Sequence, residues 1–212
     1  MANVKNNASA KETKRRLIDA AGEVFAAHGF ERATIKEITD RADASVAAVN
    51  YHFSDKQELY DQVVLHVHEQ GCPVFRALSD TPADATPAER LRAFVLRLLQ
   101  HVLDPNQPAW FCQIKTREMQ APSAATERWI NDSLRPFVLE LEQFVATLLP
   151  GPVPAVELTR LTNSVVGQVL YYAHNRELCG SLHPEQPPPE QAVDEIADHI
   201  TQFTLAALSC WK

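Results

Sequence analysis

The chain has 212 residues, 45% of them apolar, enough to fill the core of one large domain or two modest ones. Six glycines against fourteen prolines, with little apolar/polar alternation, exclude a mainly β protein, and a net charge of −7 excludes a general polyanion binder. The charge is uneven: residues 1–56 hold 9 Lys/Arg against 8 Asp/Glu and residues 57–212 hold 11 against 19, so a near-neutral head with a basic start precedes an acidic body.

The first predicted helix runs from Lys11 to His28, where Leu17, Ile18, Ala21, Val24 and Phe25 recur at three- and four-residue steps. Gly29 stands where a left-handed C-cap is wanted, and Phe30 follows as an apolar lid. Thr34 with Glu37 three residues on reads as a capping box, opening a second helix to about Ala42. Asp43 and Ala44 form the turn, and Ser45 caps a third short helix from Val46 to His52. A single turn between the second and third helices predicts a steep crossing, as in a helix-turn-helix. Ser54-Asp55-Lys56-Gln57 then starts a fourth helix through Leu59, Tyr60, Val63, Val64 and Val67, interrupted at Gly71 and Pro73.

Longer helices make up the remainder. Thr86-Pro87-Ala88-Glu89 combines an N-cap, a first-turn proline and a capping-box glutamate, so a helix runs from about 87 to 103. Pro105 and Pro108 break the chain before a helix at Ala109 to Met119. A long helix from Ser123 to Leu149 is expected to kink at Pro136, and residues 150–154 form a proline-rich loop. The last two helices are read as Ala155 to about Leu178 and Glu190 to Ser209, joined by a stiff crossover through Pro187-Pro188-Pro189. The expected fold is therefore all-α: an N-terminal three-helix helix-turn-helix domain (1–56, with its arm) and a larger helical ligand-binding and dimerisation domain (57–212).

The four cysteines are scattered, without a C-x-x-C pair, which suits reduced thiols in the cytoplasm. The polar start, MANVKNNASAKETKRR, does not read as a secretory signal, and no apolar run approaches the length of a membrane span.

The third helix suits entry into the DNA major groove. Its leading turn presents the short groups of Ser45, Val46, Ala47 and Ala48, and Asn50 can pair with adenine or a phosphate. Tyr51, His52 and Lys56 offer phosphate donors on the flank, and Phe53 anchors the helix to the core. Phe25, Gly29 and Phe30, the Thr34 start, Tyr51-His52-Phe53 and the following Lys56 together resemble the N-terminal domain of the TetR family over about residues 12–62. Asp43 departs from that pattern, which carries glycine in the turn, and Asn50 stands where many members have tyrosine. Arg117-Glu118-Met119 followed by Pro122-Ser123, and Gly167-Gln168-Val169-Leu170-Tyr171-Tyr172, are similar to the CecR-like subgroup.

The resemblance implies DNA contact by Thr34, Lys36, Tyr51, His52 and Lys56. It implies a regulator, in the sense of a repressor, released from a palindromic operator in double-stranded DNA by a small-molecule effector. One helix-turn-helix reads few bases, so a homodimer is expected, paired through the last two apolar helices in a four-helix interface. Trp110, Arg117, Gln168 and Tyr171 are the candidates for effector contact, although any single aromatic on a body helix is more often core. His66, His68 and Cys72 read as a solvated helix face rather than a metal site, since His66 and His68 do not share a face. No metal or cofactor is expected. Nucleophile elbow, P-loop, H-E-x-x-H and dinucleotide fingerprints are absent from the sequence, which leaves an effector-free DNA-binding or scaffolding protein and an all-helical enzyme as the alternatives.

Overall fold

The computed structural model describes residues 2–69, 72–82 and 84–211, with the side chains of residues 2–8, 72 and 73 left aside. Among the described residues there is no strand. The helices are α1 (Ala2–Arg32), α2 (Ile35–Arg41), α3 (Val46–His52), α4 (Lys56–Glu69), α5 (Cys72–Phe75) and α6 (Pro87–Val102). They continue as α7 (Ala109–Gln120), α8 (Ala124–Trp129), α9 (Arg135–Ala146), α10 (Ala155–His174), α11 (Arg176–Leu182) and α12 (Val193–Ser209).

Packing divides the chain differently from the expected boundary at residue 56. One compact unit comprises Met1–Gln70 and Gln107–Asp132; the other comprises Gly71–Asn106 and Ser133–Lys212. The reason lies in where apolar stripes meet. In the first unit α1 packs on α2, α3, α4 and α7, and α4 also packs on α7 and α8. The side chains of Leu17, Val24, Phe25, Ile38, Val63 and Ile114 are wholly buried at that centre. In the second unit α6 lies against α12 and α10, and α9 against α10. Arg92 on α6 reaches two carboxylates one turn apart on α12, Asp194 and Asp198.

Helix boundaries differ from the sequence reading at several points. The first helix starts at Ala2 and not at Lys11. The expected long helix from Ser123 is interrupted by a π-turn at Ile130–Leu134. Pro136 lies just beyond that turn; it has no N–H to donate and its ring crowds the carbonyl four residues back, so the helix widens there to wider-spaced bonding. The helix from Ala155 stops at His174, where Asn175 leaves helical geometry (φ −120°, ψ 26°) and both its N–H and its side-chain amide donate to the Tyr171 carbonyl. The last helix begins at Val193, after a short 3₁₀ turn at Pro189–Gln191.

Candidate nucleic-acid interface

The α2–turn–α3 segment is built by its caps. Thr34 Oγ1 accepts from Glu37 N–H (3.2 Å), and Ser45 Oγ accepts from Ala48 N–H (3.2 Å). The Thr34 capping box is only half formed, because the Glu37 carboxylate turns instead to His28 (3.2 Å) and Arg41 (3.9 Å). In the turn, Asp43 takes φ +48°, the left-handed region that a side chain disfavours. Arg16 braces it, with Nη1 on the Asp43 carbonyl (3.4 Å) and near its carboxylate (3.8 Å). The ion pair is exposed and contributes little, whereas glycine would remove the backbone strain and keep the carbonyl bond. Asp43→Gly should therefore raise stability by about 0.5–1 kcal/mol, seen as a higher denaturant midpoint.

On α3, Val49 and, just past the helix, Phe53 point into the core, 1% and 2% exposed. That fixes the opposite face outward: Val46, Ala47, Asn50 and Tyr51 are all exposed, and their spacing of one, three and one residues places them on one side of a helix. Tyr51 is 78% exposed, so it is no core aromatic. Thr34, Lys36 and Ser45 are exposed as well, whereas Ala48 and His52 are half-buried. The structure thus gathers most of the predicted DNA-facing residues on the surface of two short helices and their caps.

Lys56 has another partner. Its ammonium donates to the carbonyls of Phe30 (3.0 Å), Ala33 (3.2 Å) and Glu31 (3.4 Å) and lies 4.5 Å from the centre of the Phe30 ring. An ammonium has three N–H donors, and three carbonyls at the end of α1 take them. A phosphate contact would have to compete with that cap. Lys56→Ala should cost about 1–2 kcal/mol of stability, read as a lower Tm, with the salt dependence of DNA binding unchanged.

The four effector candidates divide between the units. Trp110 is buried in the first unit against Gly22, and Arg117 donates to the carbonyls of Phe25 (2.6 Å) and Ala26 (3.1 Å). Gln168, in the second unit, donates to Thr204 Oγ1 (3.2 Å) and the Ser164 carbonyl (3.2 Å), while Tyr171 is half exposed. Neither compact unit holds all four.

A buried polar cluster escaped the sequence reading. Glu118, 2% exposed, accepts from Tyr60 Oη (2.6 Å), Thr126 Oγ1 (2.6 Å), Ser123 Oγ (2.7 Å) and Ser123 N–H (2.9 Å). Burial alone would raise its pKa; the bonds from Thr126, Tyr60 and Ser123 outweigh it and hold the carboxyl below its usual range. His68 is 3% exposed, stacked on Trp129 at 3.9 Å and bonded to Thr126 Oγ1 at 3.0 Å, not on a solvated face as expected. Burial first, then the nearby Lys115, lowers its pKa to about 4, so the ring is neutral near pH 7. Thr126 has one hydroxyl proton and gives it to Glu118, so the His68 Nε2–H must donate. The signal available in the sequence was register: Glu118 follows Trp110, Phe111 and Ile114 on the same buried stripe of α7. Cys72, the other metal candidate, has its side chain outside the described residues. Among the described residues no cluster of three metal-ligating side chains forms, and no helix is long and apolar enough to cross a membrane.

Comparison with known proteins agrees with this geometry. Residues 17–63 match the model of bacterial regulatory proteins of the tetR family, and residues 87–208 match the C-terminal domain of the HTH-type transcriptional dual regulator CecR. The uncharacterized HTH-type transcriptional regulator TtgW of Pseudomonas putida is 45% identical over 60 residues, which are 28% of this chain and 45% of TtgW. The aligned part is thus less than half of that relative's length. A TetR-like transcriptional regulator from a Rhodococcus species superimposes with a TM-score of 0.64 at 17% identity, over 92% of this chain and 95% of its own. AibR, solved in complex with isovaleryl coenzyme A and operator DNA, superimposes with a TM-score of 0.62 at 19% identity, over 90% and 97%. With the capped α2–α3 pair, its outward polar face and a family match extending over most of the second half of the sequence, the chain belongs to the TetR family of bacterial regulatory proteins and carries a C-terminal domain of the CecR type.

Proposed function

We propose that the protein is a cytoplasmic, ligand-responsive transcription regulator that acts by binding and not by turnover. It is a homodimer that represses from a roughly palindromic operator and is released when a small molecule binds. The observation that carries this reading is the outward face of α3, where Val46, Ala47, Asn50 and Tyr51 stand clear of the core beside exposed Thr34, Lys36 and Ser45. Small side chains let a helix approach base edges, and hydroxyl, amide and ammonium groups supply base and phosphate contacts. In this reading residues 1–56 read DNA, with Ala48 and His52 at the edge of the contact, and residues 57–212 receive the effector. Gln168 and Tyr171 remain the effector contacts. AibR, held with both an acyl coenzyme A and operator DNA, supports pairing an effector with an operator in this fold.

Dimerisation through α10 and α12 is supported by their exposed apolar side chains, Val156 and Phe203. Val169 and Ile200 are fully buried within the protomer and belong to its own core. Phe203→Glu should therefore yield folded monomer in sedimentation experiments and weaken operator binding. The deciding experiment is selection of duplexes from a random pool by the full-length protein, followed by titration with candidate acyl, aromatic and amphipathic molecules. A selected palindrome released by one of them is expected. Selection of no preferred sequence, or of one without two-fold symmetry, would overturn the reading.

A further inference from the structure

The reading motif, residues 35–52, hangs between the end of α1 and the start of α4, and consecutive residues of α7 grip both neighbours. Arg117 holds the carbonyls of Phe25 and Ala26, shortly before Gly29 turns the chain toward α2. Glu118 holds Tyr60, in the second turn of α4, and through Thr126 it holds His68 near the α4 end. Successive residues of a helix point about 100° apart, which is how one turn of α7 faces two helices. We propose that Arg117 and Glu118 are positioning residues for operator binding, which together hold both sides of the reading motif in one orientation. This rests on the regulator reading above and gives Arg117 a role in place of effector contact.

The physical argument is one of direction. Apolar packing would hold α4 against α7 and α8 with comparable stability, since a buried carboxylate is costly and hydrophobic contact is not. Apolar contact is also non-directional, so a small slide or roll of α4 would cost little. A carboxylate with four donors between 2.6 and 2.9 Å has one register, and so does a guanidinium on two successive carbonyls. The donors also run one way, from His68 through Thr126 to Glu118, so no member can exchange roles without breaking a bond. A motif held in its binding orientation loses no affinity to misaligned states, whereas a loosened one binds in proportion to its competent fraction.

The test uses the full-length protein and its selected operator, with Arg117→Ala, Glu118→Gln, Tyr60→Phe and Arg117→Lys. Val63→Ala, a buried site on α4 outside the network, serves as a control for lost stability alone. Operator Kd is measured by fluorescence anisotropy well below each variant's Tm, with the active fraction fixed by stoichiometric titration. Arg117→Ala and Glu118→Gln should each weaken binding about tenfold, with the wild-type salt slope kept because no phosphate contact is lost. Tyr60→Phe should lose less, and Arg117→Lys should regain part of the loss, so the answer survives if Glu118→Gln does not fold. Val63→Ala should bind as wild type once folded. Variants with lower Tm but unchanged Kd would overturn the proposal, as would a reduced salt slope, which would mean direct DNA contact. If the wild-type protein selects no operator at all, the regulator reading fails and this proposal falls with it; unchanged variants beside a binding wild type sink this proposal alone.

Discussion

An Ala47→Glu protein should fold as the wild type does and lose operator binding by more than about 100-fold. Ala47 is exposed in the leading turn of α3, between Val46 on the same face and the half-buried Ala48. Nothing in the protomer has to move to admit a longer side chain there, and glutamate is a good helix former that suits a first turn. Stability should therefore change by no more than about 0.5 kcal/mol. Against DNA the same carboxylate meets two rows of phosphates and must leave water to reach the groove, and like charges brought together across an interface cost several kcal/mol. The proposed dimer would present the change twice, so each half-site would add its own penalty. The measurement is anisotropy with the selected duplex at several salt concentrations, beside a thermal melt. Tight binding by a folded Ala47→Glu protein would remove α3 from the interface.

The second large effect is on stability and has the opposite sign from helix propensity. Gly22 lies in the middle of α1, where alanine is ordinarily favoured by about 1 kcal/mol. A β-carbon at Gly22 would lie 2.4 Å from Trp110 Cζ3 and 2.5 Å from Cε3. The ring cannot swing away, being 7% exposed and in contact with Phe111, the ring centres 4.2 Å apart. Overpacking of this kind costs about 1–3 kcal/mol and sometimes more, so the clash outweighs the propensity gain. Gly22→Ala should lower stability by about 1–2 kcal/mol in urea melts. In a Trp110→Ala background the same change should stabilise by up to about 1 kcal/mol, because only the propensity remains. If Gly22→Ala is neutral in the wild-type background, α1 and α7 are not packed this closely.

Both expectations bear on how much was legible in the chain alone. Caps and periodicity depend on residues a few positions apart, and the sequence displays those directly. Val46–His52 matches to the residue, Ser45 is its cap, and Thr86 with Glu89 is a full capping box. Gly29, read as a left-handed C-cap, has the positive φ (76°) but with ψ 170° kinks α1, which continues to Arg32. The sequence offers Phe53 as the anchor of α3; the inward Val49 is added by the structure, which leaves Val46, Ala47, Asn50 and Tyr51 facing out and Ala48 and His52, read as outward, half-buried. The family match in the N-terminal region, residues 17–63, spans Gly29 and the α2–α3 pair.

Partners distant along the chain were decided only by the tertiary structure. Lys56 reads locally as a free cation beside a recognition helix, and Arg117 as a polar group on a body helix; each is committed to carbonyls of α1, 26 and 92 residues away at Phe30 and Phe25. Val169 and Ile200, on the two helices expected to pair between subunits, are buried in the protomer's own core, while His68 reads as solvated and is buried under Trp129. An apolar stripe states that a face is covered but not what covers it, and a charged residue in that stripe carries no sign of its partner. The caps of α3 and α6 are set by bonds within one or two turns, so the sequence by itself determined them. The partners of Lys56, Arg117, Glu118 and Gly22 exist only once separate helices meet, because the bond or clash that defines each belongs to two segments at once.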